Sequence, residues 1–249
     1  MRQNQVLANG DSLTDTPQQK KLPPIKRVGL VHATALAVAP IADAFMRHWP
    51  QAQCMNLLDD SLSQDHAQNS GVLTEAMTQR FVTLANYAKG TGCDAILFTC
   101  SAFGSAIEAA RADCGLPTLK PNEAMFEDAL ALTANSTGTA KLGLVATFEA
   151  SLLPMRAELQ ALADASSRSI NVHTVFVQEA MQDLAEGRAD MHHAKIAAAA
   201  IALRDCDVVM LAQFSMAAAL PSVQAKLSCR VLSSPDCAVL SLKKTIFVP

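Results

Sequence analysis

Two stretches of this chain share one pattern: an apolar strand, a turn of small residues and a helix. The first, GCDAILFTCSAFGSAI, runs from Gly92 to Ile107, and the second, DCDVVMLAQFSMAAAL, runs from Asp205 to Leu220. Both carry the pair Cys-Asp just before the strand. Repetition on this scale indicates an internal duplication of one α/β unit.

The spacing of landmarks supports the duplication. Gly29 lies 71 positions before Cys100, and Gly143 lies 70 positions before Gln213. Beyond the strands, a proline follows 21 positions after Cys100 and 22 positions after Gln213. Several matches at the same spacing are not expected by chance. The sequence therefore predicts two similar halves, and only one of them has a thiol at the end of its strand.

Apolar strands alternate with helical segments through both halves. The predicted strands are 25–31, 54–60, 94–100 and 116–121, then 140–147, 170–177, 207–213 and 229–235. This alternation predicts the α/β class, with parallel sheets covered on both faces. We expect a flexible leader at 1–24, a first α/β lobe at 25–130 and a second at 131–249, with segments allowed to cross between the lobes.

Ligands of open parallel sheets bind beyond the carboxyl ends of the strands. Cys100 and Gln213 both lie at such ends. If the two lobes are related by a pseudo-twofold axis, both residues face one cleft between them. That cleft is the predicted active site.

Composition excludes several classes of function. Among 249 residues the net charge is −3 and aromatic residues make up 4%, so neither phosphate contacts nor base stacking is favoured and no nucleic-acid partner is predicted. No apolar run reaches the roughly 18 residues of a membrane span. The seven cysteines are an odd number without a CxxC pair, which favours reduced thiols in a cytoplasmic protein.

The chain resembles the aspartate/glutamate racemase superfamily, which also includes hydantoin racemases, maleate isomerases and arylmalonate decarboxylases. The matching pieces are VGLVHAT, ILFTCSAFG, LPTLKPNEA, LGLVAT and VVMLAQFSM, within residues 25–245. The resemblance implies an enzyme without a cofactor that acts at the carbon α to a carboxylate. Its partner would be a small carboxylic or amino-acid-like substrate, and the protein would be a monomer or a homo-oligomer.

The resemblance also implies roles for individual residues. Racemases of this superfamily place one cysteine in each lobe, on opposite sides of the substrate, and Cys100 matches the first of them. Ser101 matches the small polar residue that binds the carboxylate. Thr34, Thr147 and Ser215 fall at polar substrate-contact positions, where hydroxyl and N–H donors would stabilise an enediolate.

Gln213 departs from the two-cysteine pattern, because an amide cannot serve as an acid or a base. Our first expectation is an isomerase or racemase-type enzyme with Cys100 as acid/base and Gln213 as a substrate contact. A single-cysteine decarboxylase or lyase is the alternative, and a small-acid binding protein derived from a racemase is another.

Other candidate residues have two readings each. His32 would be either a cleft base or a loop hydrogen-bonder, and Lys120 and Asn122 would either bind the ligand or cap a helix. The adjacent His192 and His193 point about 100° apart on a helix, so no metal site is predicted there.

Overall fold

The protein is described here from a computed structural model, which covers residues 25–135 and 138–247. The leader predicted at 1–24 lies outside the described residues. The strands are β1 Arg27–His32, β2 Gln53–Leu58, β3 Ala95–Phe98, β4 Thr118–Leu119, β5 Ala140–Ala146, β6 Ile170–Phe176, β7 Val208–Leu211 and β8 Arg230–Ser233. The α-helices are α1 Val38–His48, α2 Ser61–Gln68, α3 Glu75–Gly90, α4 Gly104–Cys114, α5 Glu123–Leu132, α6 Leu152–Ala165, α7 Ala180–Ala185, α8 Ala189–Ala200, α9 Leu220–Gln224 and α10 Ser234–Phe247.

The strands form two four-stranded parallel sheets with the same topology. The first has the order β2-β1-β3-β4 and the second has the order β6-β5-β7-β8. The central strands of both sheets are buried, as expected for parallel sheets covered by helices. The prediction of an α/β protein with two similar lobes is therefore confirmed.

Glycine repeats at the same place in both lobes. Gly29 on β1 pairs with Ile96, and Gly143 on β5 pairs with Val209. A Cβ at Gly29 would come within 3.0 Å of the Ala88 side chain, and one at Gly143 within 3.0 Å of the side chains of Leu203 and Val209. The central strand of each lobe thus needs glycine because neighbouring side chains pack closely against it.

The repeated Cys-Asp pairs also have a structural role. The Arg27 backbone N–H donates to Asp94 Oδ2 over 2.8 Å, and the Lys141 N–H donates to Asp207 Oδ2 over 2.7 Å. In each lobe the aspartate precedes the third strand and fixes the start of the first, so that the two central strands begin level with each other.

Two helices pack against the lobe of the other half of the sequence. Met125 and Phe126 of α5 lie in a core cluster with Leu142 and Leu144 of β5. Leu242 of α10 lies in a cluster with residues of β1 and β3. The packing of these two helices connects the lobes. The lobe boundary at 130/131 remains a prediction.

The free cysteines differ in exposure. Cys93, Cys114, Cys206 and Cys237 are buried, whereas Cys54, Cys100 and Cys229 are partly exposed. The buried thiols behave as small apolar residues of the core.

Candidate active site

Cys100 and Gln213 occupy equivalent places in the two lobes. In each lobe the repeated glycine of the first strand, Gly29 or Gly143, pairs with a residue of the third strand, Ile96 or Val209. Cys100 lies four positions after Ile96, and Gln213 lies four positions after Val209. Each also precedes a 3₁₀ turn, Ser101–Phe103 or Phe214–Ala219. The duplication therefore presents a thiol at one strand end and a carboxamide at the other.

The carboxyl ends of β1 and β7 lie close together at the junction of the lobes. The turn Phe214–Ala219 packs against α1 and against the turn Ala35–Ala37 that follows β1. Phe214 itself is buried in the cluster that contains Val28 and Leu30. This contact brings the polypeptide beside Gln213 to the first lobe, where the cleft was predicted.

The Cys100 side chain is partly exposed and packs against the apolar core of the first lobe. Burial raises the pKa of the Cys100 thiol, and a hydrogen bond from the Ala102 backbone N–H opposes this effect. A raised pKa favours the neutral thiol at pH 7. The neutral thiol is therefore the resting form of Cys100.

His32 is fully buried and engaged at both ring nitrogens. Nδ1 lies 2.9 Å from Thr99 Oγ1, and Nε2 lies 2.9 Å from Asn56 Oδ1. Burial lowers the pKa of His32, and the hydrogen bond with Asn56 only partly offsets this. Since Asn56 accepts from Nε2, Nδ1 accepts from Thr99. The ring fixes the residue that precedes Cys100 and leaves no nitrogen for a substrate.

Gln213 is held by a network within the second lobe. Its Oε1 accepts from the Thr147 N–H over 2.9 Å and from the Thr147 hydroxyl over 3.3 Å. Its Nε2 donates to Ser151 Oγ over 2.9 Å. The sequence reasoning missed Ser151, because serines so often cap helices that nothing distinguished this one.

The polar residues predicted around the cleft divide into two groups. Thr147 is buried, whereas Thr34, Ser101 and Ser215 are partly exposed. Thr34 Oγ1 accepts from the Leu36 N–H over 3.4 Å, so it caps the turn that follows β1. The structure thus joins Thr147 to Gln213 and leaves Ser101 after the end of β3 and Ser215 after the end of β7.

The register of β1 and β5 in their sheets corrects the sequence alignment of Thr34 with Thr147. Gly29 is level with Gly143, which makes Thr34 level with Phe148, and both of these residues precede a 3₁₀ turn. Thr147 therefore stands one position before the counterpart of Thr34. The letters HAT and VAT match in sequence but are offset in space.

Lys120 and Asn122 follow β4. The Lys120 ammonium pairs with Glu158 over 2.7 Å and with Glu108 over 2.9 Å. Asn122 makes no side-chain capping bond, and its buried Oδ1 accepts a short hydrogen bond from Ser234. Both residues link the lobes, and nothing in the sequence pattern marked Ser234 as the partner.

Two further findings concern metals and membranes. Within residues 25–135 and 138–247, no group of three or more His, Cys, Asp or Glu residues is arranged to hold a metal ion. Over the same residues, no helix has both the length and the apolar character to cross a membrane.

Comparison with known families decides the relationship. The model of the Asp/Glu/Hydantoin racemase family matches residues 31–242. The chain belongs to this racemase family. The match covers both lobes, including Cys100 and Gln213, and makes the protein a racemase-family enzyme.

Solved structures of similar fold include racemases and a decarboxylase. Glutamate racemase RacE1 from Bacillus anthracis has 15% identity and a TM-score of 0.66, over 89% of this chain and 81% of that one. Unliganded arylmalonate decarboxylase has 16% identity and a TM-score of 0.62, over 90% and 94%. Glutamate racemase from Campylobacter jejuni has 15% identity and a TM-score of 0.65, over 88% and 85%. No curated protein sequence matches the chain significantly.

Proposed function

We propose that the protein is a cofactor-independent enzyme that transfers a proton at the carbon α to a carboxylate, with Cys100 as its only acid/base. The observation that carries this proposal is the equivalence of Cys100 and Gln213 at the two strand ends. A thiol exchanges protons near neutral pH, whereas a carboxamide does not. Proton transfer is therefore confined to one face of the substrate.

Donors beside Cys100 suit the substrate carboxylate. The Ser101 hydroxyl and the backbone N–H groups of Ser101 and Phe103 follow the thiol directly. Such donors bind a carboxylate and stabilise the enediolate that forms when the α-carbon carries negative charge. They would hold a carboxylate at this strand end without a lysine or an arginine.

The protonation of Cys100 favours a lyase as the second candidate. In a decarboxylation, the bond between the α-carbon and a carboxylate breaks, CO₂ leaves and the electron pair remains on the α-carbon. The Cys100 S–H then gives its proton to that carbon and regains one from water. Burial keeps the thiol protonated at rest, which is the state that this step requires. An isomerase would first need the thiolate.

Deuterium exchange tests the proposal. Racemic and enantiopure amino acids, N-acyl amino acids, maleate and substituted malonates would be incubated with the protein in D₂O, and the α-position followed by NMR. We expect deuterium at one face of a substrate and a fall of roughly 10²- to 10⁴-fold in Cys100→Ser. Cys229→Ser, which also removes a partly exposed thiol, is the control and should retain activity.

The outcome also separates the candidates. Exchange without loss of carbon supports an isomerase, and release of CO₂ supports the lyase. Equal exchange in wild type and Cys100→Ser, or binding without any exchange, would refute the proposal in favour of another base or a binding protein.

The free thiols fit a reducing, cytoplasmic compartment.

A further inference from the structure

The orientation of the Gln213 carboxamide is fixed by its partners. A backbone N–H can only donate, so the atom that faces the Thr147 N–H is Oε1. The Ser151 hydroxyl donates to the Phe148 carbonyl over 2.7 Å and therefore accepts from Nε2. Both lone-pair directions of Oε1 are occupied by Thr147.

Among residues 25–135 and 138–247, one hydrogen of Gln213 Nε2 has no hydrogen-bond acceptor. Nε2 carries two hydrogens, and Ser151 takes one of them. The side chain is partly exposed at the end of β7. Gln213 therefore offers the cleft a donor and no acceptor.

The turns around the cleft carry almost no charge. Of the five residues that follow each of β1, β3, β5 and β7, only Glu149 is charged. Its side chain is exposed to solvent, where a carboxylate contributes little to binding a cation. An ammonium group that entered between these turns would lose water and find no buried carboxylate on them, which is costly.

The charged residue that lies nearest beyond the carboxyl end of each edge strand is already paired. The first charged residue after each of β2, β4, β6 and β8 forms an ion pair within the protein. These pairs are Asp59–Arg80, Lys120–Glu158, Glu179–Lys195 and Asp236–Arg47. No free carboxylate is supplied by these residues to an ammonium group at the strand ends.

We propose that the substrate is a carboxylic acid whose α-substituent is uncharged and carries an acceptor oxygen, such as an acylated amine, and that Gln213 Nε2 donates to that oxygen. The inference rests on the proposed function, in which the donors beside Cys100 hold the carboxylate. It assigns Gln213 to specificity: the residue selects an acceptor-bearing acid and excludes the free α-amino acid.

Three small acids test this specificity. Propionate lacks both groups, alanine carries the ammonium, and N-acetylalanine replaces the ammonium by an amide with a carbonyl oxygen. Binding to Cys100→Ser would be measured by ligand-observed NMR, so that turnover does not interfere. We expect N-acetylalanine to bind about tenfold more tightly than propionate, as one added hydrogen bond allows, and alanine to bind most weakly.

Gln213→Glu reverses the polarity of this contact with little change in shape. One carboxylate oxygen still accepts from Thr147, and the other presents negative charge where the wild type presents N–H. We expect N-acetylalanine to lose at least about tenfold in affinity and alanine to become the better ligand. Gln160→Glu, on the exposed face of α6, adds the same charge away from the strand ends and should keep the wild-type order.

Two results would overturn the inference. They are alanine binding at least as well as N-acetylalanine, or N-acetylalanine binding no better than propionate. Selective binding of N-acetylalanine without exchange in the wild type would leave the inference standing and refute the proposed function instead.

Discussion

The backbone N–H of Thr147 donates to Oε1 of Gln213 over 2.9 Å, across 66 positions of sequence. The bond joins a backbone donor at the carboxyl end of β5 to a side-chain acceptor at the end of β7. Gln213 is therefore built into the second lobe. Its removal must change both the chemistry and the order of the turn after β5.

The first prediction concerns Gln213→Cys, which restores a thiol at the second strand end. Thr147 loses its acceptor, and an unpaired buried group costs about 1–3 kcal/mol. A thiol there can also reach the second face of the α-carbon. We expect a less stable protein that exchanges the α-proton on both faces, whereas the wild type exchanges it on one.

Gln213→Ala is the matched control for this prediction. It leaves Thr147 equally unpaired but supplies no acid or base. Stereochemistry of deuterium incorporation and urea denaturation of both variants would be compared. Two-face exchange in neither variant, or in both, would show that position 213 does not face the reacting carbon.

The second prediction concerns alkylation of Cys100. Because burial raises its pKa, the thiolate is scarce at pH 7, and the rate of reaction with iodoacetamide should rise about tenfold per pH unit. A substrate acid in the cleft should protect Cys100 but not the partly exposed Cys229. Peptide mapping at pH 7, 8 and 9 measures both effects. Equal protection of the two thiols would contradict a ligand site at Cys100.

The register of Cys100 and Gln213 was predictable from the sequence because parallel-sheet packing preserves spacing. The glycine landmarks that set this spacing are required where neighbouring side chains approach β1 and β5. Matching the motifs HAT and VAT aligned Thr34 with Thr147, which lies one position before the structural counterpart of Thr34. A local motif does not show where its strand ends. The spacing of long-range landmarks was the more reliable guide.

Contacts between distant residues were beyond the sequence. Helix α10 was not predicted, and its burial depends on packing against the first sheet. The Gln213 carboxamide bonds to Thr147, which lies 66 positions earlier in the sequence. Asn122 and Ser234 are 112 positions apart. A single sequence shows the type of each side chain but does not show which residues form hydrogen bonds with it.

The third prediction concerns the Asn122–Ser234 pair between the lobes. Ser234 is fully buried, and Ser234→Ala would leave Oδ1 of Asn122 without a donor. We expect the free energy of unfolding to fall by about 1–3 kcal/mol in urea denaturation. Ser222→Ala, at an exposed site on α9, should change it by less than about 0.5 kcal/mol. Equal stability of the two variants would contradict a structural role for the pair.

The fourth prediction concerns His192, which is fully buried on α8. Neither of its ring nitrogens hydrogen-bonds to any residue that the structure describes. Burial lowers its pKa to about 4, with a smaller contribution from the neighbouring His193 and an opposing one from Asp183. In the unfolded chain the pKa is about 6.5. Below that pH the unfolded state binds the proton more readily than the folded state, so stability falls as the pH falls.

The loss should develop between pH 6.5 and pH 4 and reach about 3 kcal/mol when the folded state also titrates near pH 4. His192→Leu removes the titrating ring and both unpaired nitrogens, so it should flatten this part of the profile without lowering stability at pH 7. His193→Gln, at a partly exposed position, should keep the wild-type slope. Urea denaturation at pH 7, 6, 5 and 4 measures all three proteins. A wild-type slope retained in His192→Leu would assign the acid sensitivity to other groups.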